Sequence, residues 1–363
     1  MQLKLNPTLQ KKYSKETLSA LEAQRLAHKI SFGPIVFQVS RLMKKFGILQ
    51  ILIDSPKGLT IDEISEKTKL SKYACQCLLE SSLTIGTLLY IDGKFVCSKA
   101  GFFLLNEQLV DINMDFIHNV NYLPLFHLEE TLLTGKPEGL KVFGNWDNIY
   151  EGLLQFPKEA FDSWFRFNHF YSDQTFDDAL QIVFADKPEK LLDIGGNTGR
   201  WALHCVKNDP GLLVTILDLP EQIEMMEQEI AGEKDSDRIS GYACNLLDPG
   251  MSIPAGFDVI WISQLLDNFS EEEIVNILTK IAESMSNNTK LYIMEMFWDR
   301  QPFETGAYIL SQLSLYFTIL ATGHSRMYPT EEFTRFIEEA KLSIVEINDG
   351  IGKGHSIIQC RKK

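Results

Sequence analysis

Lys190-Leu-Leu-Asp-Ile-Gly-Gly-Asn-Thr-Gly-Arg-Trp-Ala-Leu-His-Cys205 is an apolar run closed by an acid, then a glycine-rich turn, then a helical pattern that begins at Trp201. The order reads as strand, tight turn, helix. Glycines at 195, 196 and 199 let the backbone turn sharply, approach a ligand and pack the new helix on its strand. The second strand, Leu212-Leu-Val-Thr-Ile-Leu-Asp-Leu-Pro220, ends in Asp218, nineteen residues beyond Gly199. That is where a carboxylate can take two ribose hydroxyls. The dinucleotide pattern G-x-G-x-x-G fails in either frame, because Asn197 and Thr198 stand where its second glycine would fall. Asp193 sets a carboxylate beside the turn, where a pyrophosphate is repelled and the cationic methionine end of S-adenosylmethionine is attracted. The bland alternative is a tight α/β turn with Asp218 as a helix N-cap.

The chain has 363 residues, enough for two domains, and its 45% hydrophobic and 23% charged content is that of an ordinary globular protein. The net charge of −14 argues against a general nucleic-acid binder. Residues 1 to 50 hold nine Lys/Arg and two Glu, which leaves the remainder at −21. A basic helical arm on an acidic body or partner subunit accounts for this. The six cysteines, at 75, 77, 97, 205, 244 and 360, form no paired CxxC spacing and read as reduced core residues. No signal-peptide pattern opens the chain, and the longest apolar run, Ala307 to Ala321, is broken by Ser311, Gln312, Ser314 and Thr318. The expectation is a cytoplasmic protein without membrane or metal association.

Apolar positions from Glu16 to about Leu52 recur at helical spacing and are interrupted near Gly33-Pro34, which predicts two helices. From Gly58 to Leu83 come a short helix capped by Thr60 with Glu63 three residues on, a turn, and a second helix capped by Ser71. Leu88 to Cys97 reads as a hairpin with an Asp92-Gly93 turn. Together these make a winged-helix pattern. Its second helix offers only Lys72 as a cation, and residues 50 to 105 balance six lysines against six acids. A neutral module binds phosphates poorly, so subunit packing is the expected use. Residues 109 to 185 are rich in aromatics and predict a helical connector able to cover a flat substrate. Strands near 190–193, 212–217, 239–243, 257–262, 289–294, 343–348 and 355–360 then alternate with helices. This predicts a seven-stranded doubly wound α/β sheet whose carboxyl rim carries Asp193, Asp218, Asn245, Ser263, Asp267 and Glu295.

This order of parts resembles the small-molecule O-methyltransferases of the plant caffeate type and their bacterial relatives over nearly the whole chain. The residues that carry the likeness are Leu192-Asp-Ile-Gly-Gly-Asn-Thr-Gly199, Leu217-Asp-Leu-Pro220, Phe167-Asn-His-Phe-Tyr-Ser-Asp173 and Leu266-Asp-Asn-Phe-Ser-Glu-Glu-Glu273. The resemblance implies a winged-helix dimerisation domain over 1–108, a helical connector and substrate lid over 109–185, and a Rossmann-like S-adenosylmethionine-dependent domain over 186–363. It implies a homodimer, a small aromatic acceptor and S-adenosylhomocysteine as the second product. Asp193, Gly195, Gly196, Gly199, Asp218, Leu219, Asn245, Leu246 and Ser263 would hold the cofactor. Asn245 and Leu246 fall where the family has an aspartate and a methionine beside the adenine. Phe170, Tyr171 and Met327 would lie against the acceptor.

The family's histidine base falls on Asp267. One supporting glutamate is kept as Glu295, and the other falls on Met327. A phenol has a pKa of about 10 and a carboxylate of about 3.9, so an ordinary Asp267 takes its proton against roughly 8 kcal/mol. Burial beside Glu295 would raise the pair. Alternatively the acceptor is itself acidic, or His324, in Thr322-Gly-His-Ser-Arg-Met-Tyr-Pro329, supplies the base. The expected activity is methyl transfer to a hydroxyl of a small, aromatic metabolite of secondary metabolism. Two alternatives stay open: an enzyme of the same fold with another acceptor atom or a non-methylating reaction, and a metabolite-sensing winged-helix regulator.

Overall fold

The computed structural model describes residues 4–363. Two compact units emerge, one of Lys15–Val120 and one that joins the segment ending at Ser14 to Asn121–Lys363. The division falls at residue 120 rather than 108, and from Asn121 onward the connector packs within the larger unit.

In the smaller unit the stretch to Leu52 forms three helices, Ala20–Ser31, Gly33–Lys45 and Ile48–Ile53, where two were expected. The additional break is at Phe46-Gly47, where Gly47 takes a φ of +72° that a side-chain-bearing residue rarely adopts. Thr60 and Glu63 cap the helix Ile61–Thr68 reciprocally, and Ser71 accepts the Ala74 N–H at the start of Lys72–Ile85. Strands β1 (Leu88–Ile91) and β2 (Lys94–Cys97) pair antiparallel across the Asp92-Gly93 turn, where both residues have positive φ. Their inner face packs Leu88 and Phe95 on Leu49, Leu52, Ile64 and Leu79. Lys72 is held in an ion pair with Asp62, 2.6 Å away. The helix Ala20–Ser31 buries none of its residues.

The larger unit is built on β3 (Lys190–Ile194), β4 (Leu213–Asp218), β5 (Ile239–Ala243), β6 (Val259–Ser263), β7 (Lys290–Glu295), β8 (Leu342–Ile351) and β9 (His355–Lys362). The order across the sheet is β5-β4-β3-β6-β7-β9-β8, parallel except for β9, which runs antiparallel to both neighbours. All seven strands lie where the sequence places them; β3, β6 and β7, covered on both faces, are apolar nearly throughout, while the edge strands β5 and β8 are more exposed. On one face, Leu192, Ile194, Ile260, Ile262 and Ile293 pack on Ile274, Ile277, Leu278 and Ile281 of the helix Glu271–Ser284. On the other, Leu191, Ile216, Val259 and Trp261 pack on Trp201, Cys205, Ile223 and Met226 from the two helices that follow β3 and β4. The chain runs outward from β3 to β4 and β5, then returns to β6 on the opposite side. The strand order therefore reverses beside the carboxyl end of β3, the place where such sheets bind ligands.

Cys75, Cys205, Cys244 and Cys360 are buried free thiols, whereas Cys77, two residues from Cys75 on its helix, is exposed. The apolar run at 307–321 forms the helix Glu304–Tyr316 and a wider turn, Phe317–Ala321. Among the described residues no helix is long and apolar enough to cross a membrane.

Candidate functional site

The turn after β3 is fixed by backbone geometry and one carboxylate. Gly195 and Gly199 have φ of +78° and +76°, and Asn197 between them has +47°. Asp218, at the end of β4, accepts the Asn197 N–H on Oδ2 at 3.0 Å and the Leu219 N–H on Oδ1 at 2.8 Å. It ties the turn to the start of the helix Pro220–Ile230. Gly196 supplies close approach, since a Cβ there would lie 2.6 Å from Asp193 Oδ2 and 2.8 Å from Ile216 Cγ2. Leu219, half-buried, continues the rim. The Cys244 N–H donates to the Asp218 carbonyl at 2.8 Å, which brings Asn245 to the same rim. Asn245 is exposed, its Oδ1 accepting the Leu247 N–H, and Leu246 is buried in the core beneath.

Asp193 is 2% exposed, and its Oδ2 has no hydrogen-bond partner. Burial, and then the charge of Asp218, pushes its carboxyl up to about 8. Burial also raises Asp218, against the two backbone N–H groups that favour its anion. An orphaned acceptor at the floor of a glycine cradle suits a cation. With Asp218 beside it, the donor set fits the methionine and ribose parts of S-adenosylmethionine.

Asp193, Gly195, Gly196 and Ser263 line a cleft of about 120 Å³. The helix Lys158–Asp173 closes one side with Phe165, Asn168, His169 and Ser172. Their spacing is that of one helix face. Sequence reading missed this stripe within a segment it had singled out; Phe170 and Tyr171, named instead, are buried and make ring contacts with each other. Asp173 and Arg200 form a 2.6 Å ion pair at the mouth. Burial pushes Asp173 up, but bonds from His169, Ser172 and Arg200 outweigh it and hold the carboxyl below its usual range. Trp201 and Trp261 stack beneath, 4.9 Å between ring centroids.

A second cluster gathers around the acids that follow β6 and end β7. Asp267 and Glu295 are 7% and 2% exposed. Glu295 Oε1 accepts the N–H groups of Leu265 and Leu266 at 3.1 and 2.9 Å, while Oε2 has no partner. Asp267 Oδ1 accepts from Asn268 Nδ2 at 3.2 Å, and Asn268 Oδ1 accepts from the Tyr150 hydroxyl. The Trp164 Nε1–H donates to the Tyr316 hydroxyl at 2.7 Å. Burial raises Asp267, and burial and then the Asp267 charge raise Glu295. Burial, followed by the neighbouring Tyr316 and Asp267, makes Tyr150 a harder phenol to ionise. Asn268, Tyr150, Trp164 and Tyr316 were not singled out in sequence as members of this cluster, and only Asn268, adjacent to Asp267, carried a local signal. His324 is not brought into it: its Nε2 lies 3.2 Å from Glu273 and the side chain is half exposed. Met327 is 3% exposed, and its N–H donates to Ser314 Oγ. Among the described residues no group of three or more His, Cys, Asp or Glu side chains could hold a metal ion.

Comparison with known proteins agrees with this architecture. Residues 24–95 match the Dimerisation2-like domain and residues 127–342 the O-methyltransferase domain. The L-tyrosine C(3)-methyltransferase of Streptomyces lavendulae is 22% identical, with 86% of this chain and 84% of that one covered. The 3-hydroxy-5-methyl-1-naphthoate 3-O-methyltransferase of Streptomyces sahachiroi is 24% identical over 78% and 79%. The solved apo form of SibL, an S-adenosylmethionine-dependent methyltransferase, superimposes with a TM-score of 0.71 at 22% identity, covering 92% of this chain and 98% of that one.

Two outcomes are expected if the cleft beside the glycine turn takes the cofactor. With its pKa raised to about 8, Asp193 is mostly neutral at pH 6, so a cation that needs its anion must displace a proton. S-adenosylmethionine affinity should rise between pH 6 and 7.5 by up to about tenfold per unit, below the pH of about 8 at which the ligand's own amine discharges. Calorimetry in buffers of different ionisation heat reads both affinity and proton release, and Asp193→Asn should flatten the profile. Gly196→Ala should weaken cofactor binding at least about tenfold and cost about 1–3 kcal/mol of stability in urea unfolding, because its methyl meets Asp193 and Ile216.

Proposed function

Because the chain belongs to the O-methyltransferase family, whose domain spans residues 127–342, and its cofactor is S-adenosylmethionine, we propose that it methylates a hydroxyl of a small aromatic metabolite. The observation that carries this reading is the cation-seeking Asp193 in the glycine cradle, with Asp218 beside it on the same sheet rim. Bound there, the cofactor supplies a methyl group activated by a positively charged sulfur. The residues of the chain have three tasks: to hold that cation, to orient the acceptor and to take the acceptor's proton.

Asp193 and Asp218 serve the first task, and Gly195, Gly196 and Gly199 give the backbone its close approach. Orientation falls to the aromatic walls of Tyr150, Trp164 and Tyr316 around the acidic pair. Alignment can supply much of the acceleration of an in-line displacement. The acceptors named for the relatives, a tyrosine and a hydroxynaphthoate, are aromatic and suit such walls. For the third task Asp267 stands where the resembling enzymes have histidine. Its burial narrows the gap to a phenol, since a carboxyl whose anion is poorly solvated is the stronger base. Glu295 raises that basicity further only while it is itself charged. His324, paired with Glu273, is the less favoured base.

The smaller unit we read as a dimerisation module in a cytoplasmic homodimer. Support comes from the match of residues 24–95 and from Leu21, Leu26, Ile30, Phe32 and Ile35, all more than 45% exposed. A helix with no buried face needs a partner to be stable. Lys72, neutralised by Asp62, offers a nucleic acid little.

Asp267→Asn should lower kcat by about 10²-fold or more on an identified acceptor and leave S-adenosylhomocysteine affinity within about twofold. Full turnover in that variant would remove Asp267 as the base. The double substitution Leu26→Asp with Ile30→Asp should halve the mass measured by sedimentation at micromolar protein while circular dichroism stays unchanged. An unaltered mass would move the dimer contact elsewhere.

A further inference from the structure

The acidic pair lacks the charge that proton transfer would need. Asp267 and Glu295 are buried together, and among the described residues no lysine, arginine or histidine forms an ion pair with either. Glu295 Oε1 is satisfied by two backbone N–H groups, but Oε2, inside a side chain 2% exposed, has no donor. A buried acceptor left in that state costs free energy unless a ligand supplies the donor. Tyr150 and Tyr316 lie near Asp267, with Trp164 packed on Tyr150 and bonded to Tyr316, and such rings also favour a cation.

Where a histidine takes a hydroxyl proton, the imidazolium that forms balances the oxyanion. When Asp267 takes it, the product is a neutral acid, and the oxyanion and Glu295 are left with only the cofactor's sulfonium, and no protein cation, to offset them. That step is costly in buried, low-dielectric surroundings. A cation on the acceptor would remove the cost by filling the open oxygen of Glu295 and offsetting the oxyanion.

Resting on the reading of a hydroxylated aromatic acceptor, we infer that this acceptor also carries a basic nitrogen, bound as its ammonium by Glu295 Oε2, while its hydroxyl faces Asp267. Glu295 selects the amine and Asp267 accepts the hydroxyl proton. A phenol of the same shape without the amine lacks both the anchor and the compensating charge.

The test is calorimetric, on the full chain saturated with S-adenosylhomocysteine. The probes are the 2-, 3- and 4-(aminomethyl)phenols, each paired with its neutral (hydroxymethyl)phenol. At least one amine should bind about 10- to 100-fold more tightly than its neutral counterpart. It should displace up to one proton per chain at pH 7, read from buffer ionisation heats, where the neutral phenol displaces none. Glu295→Gln, which keeps an oxygen for the Leu265 and Leu266 N–H groups, should cut the preference at least about tenfold and leave S-adenosylhomocysteine affinity unchanged. Equal affinity for amine and neutral phenol overturns the inference while the acceptor reading stands, as does a preference that persists in Glu295→Gln. Should S-adenosylhomocysteine bind and no phenol of either kind, the hydroxyaromatic reading falls and the inference with it. If the variant does not fold, the affinity ratio and proton count of the unaltered protein decide alone.

Discussion

The carboxylate of Asp218 holds the glycine turn and the strand ends beside it together. It accepts one N–H from the glycine turn and one from the start of the next helix, and its carbonyl takes the Cys244 N–H after β5. Three consecutive strand ends are thereby fixed by groups of one residue. Without it, Asn197 would keep its positive φ with an unpaired donor, and the cradle of Gly195 and Gly196 would lose its shape. Everything that faces the cleft, Asp193 above all, is placed by that arrangement.

What the sequence discloses follows from which constraints are local. The strands were legible because a strand covered on both faces must be apolar at nearly every position, as β3, β6 and β7 are. The glycine turn was legible because its φ values exclude most side chains. The caps at Thr60 and Ser71 were legible because three-residue spacing is the chemistry of a cap. By contrast, Tyr150 meets Asn268 across 118 residues and Trp164 meets Tyr316 across 152, and no period or spacing encodes such pairs. Helix phase was a subtler loss. The stripe Phe165, Asn168, His169 and Ser172 has the spacing of one helix face, whereas Phe170 and Tyr171, the positions the resemblance implies, pack inward. The break at Gly47 was hidden by an apolar pattern that continues in phase across it.

Three buried acids, Asp193, Asp267 and Glu295, make this unit less stable than its core alone would allow. Each has a folded pKa above its unfolded value of about 4. The sign is fixed by that order. Between the two pKa values the unfolded chain has already lost its proton while the folded one retains it, so stability falls as pH rises from about 4, for Asp193 until about 8. A fold kept for stability would bury leucine there. Buried carboxylates with an unpartnered oxygen suit positions where a ligand repays desolvation, as proposed for a cation at the glycine cradle.

The same accounting bears on chemistry. Transfer of a methyl group from a sulfonium to an oxyanion annihilates one positive and one negative charge, and a low dielectric favours any step that ends with fewer charges. Aromatic walls around Asp267 and Glu295 therefore suit the displacement itself. They oppose the step before it, because forming the oxyanion separates charge unless a positive group stands close. Histidine solves this by becoming positive as it accepts the proton. Aspartate cannot, and in the cluster built from Tyr150, Asn268, Trp164 and Tyr316 the protein offers hydrogen bonds and rings but no cation. The balance must then be met from outside the protein's own side chains, by the cofactor's sulfonium on one side of the oxyanion and by the acceptor's own charge on the other.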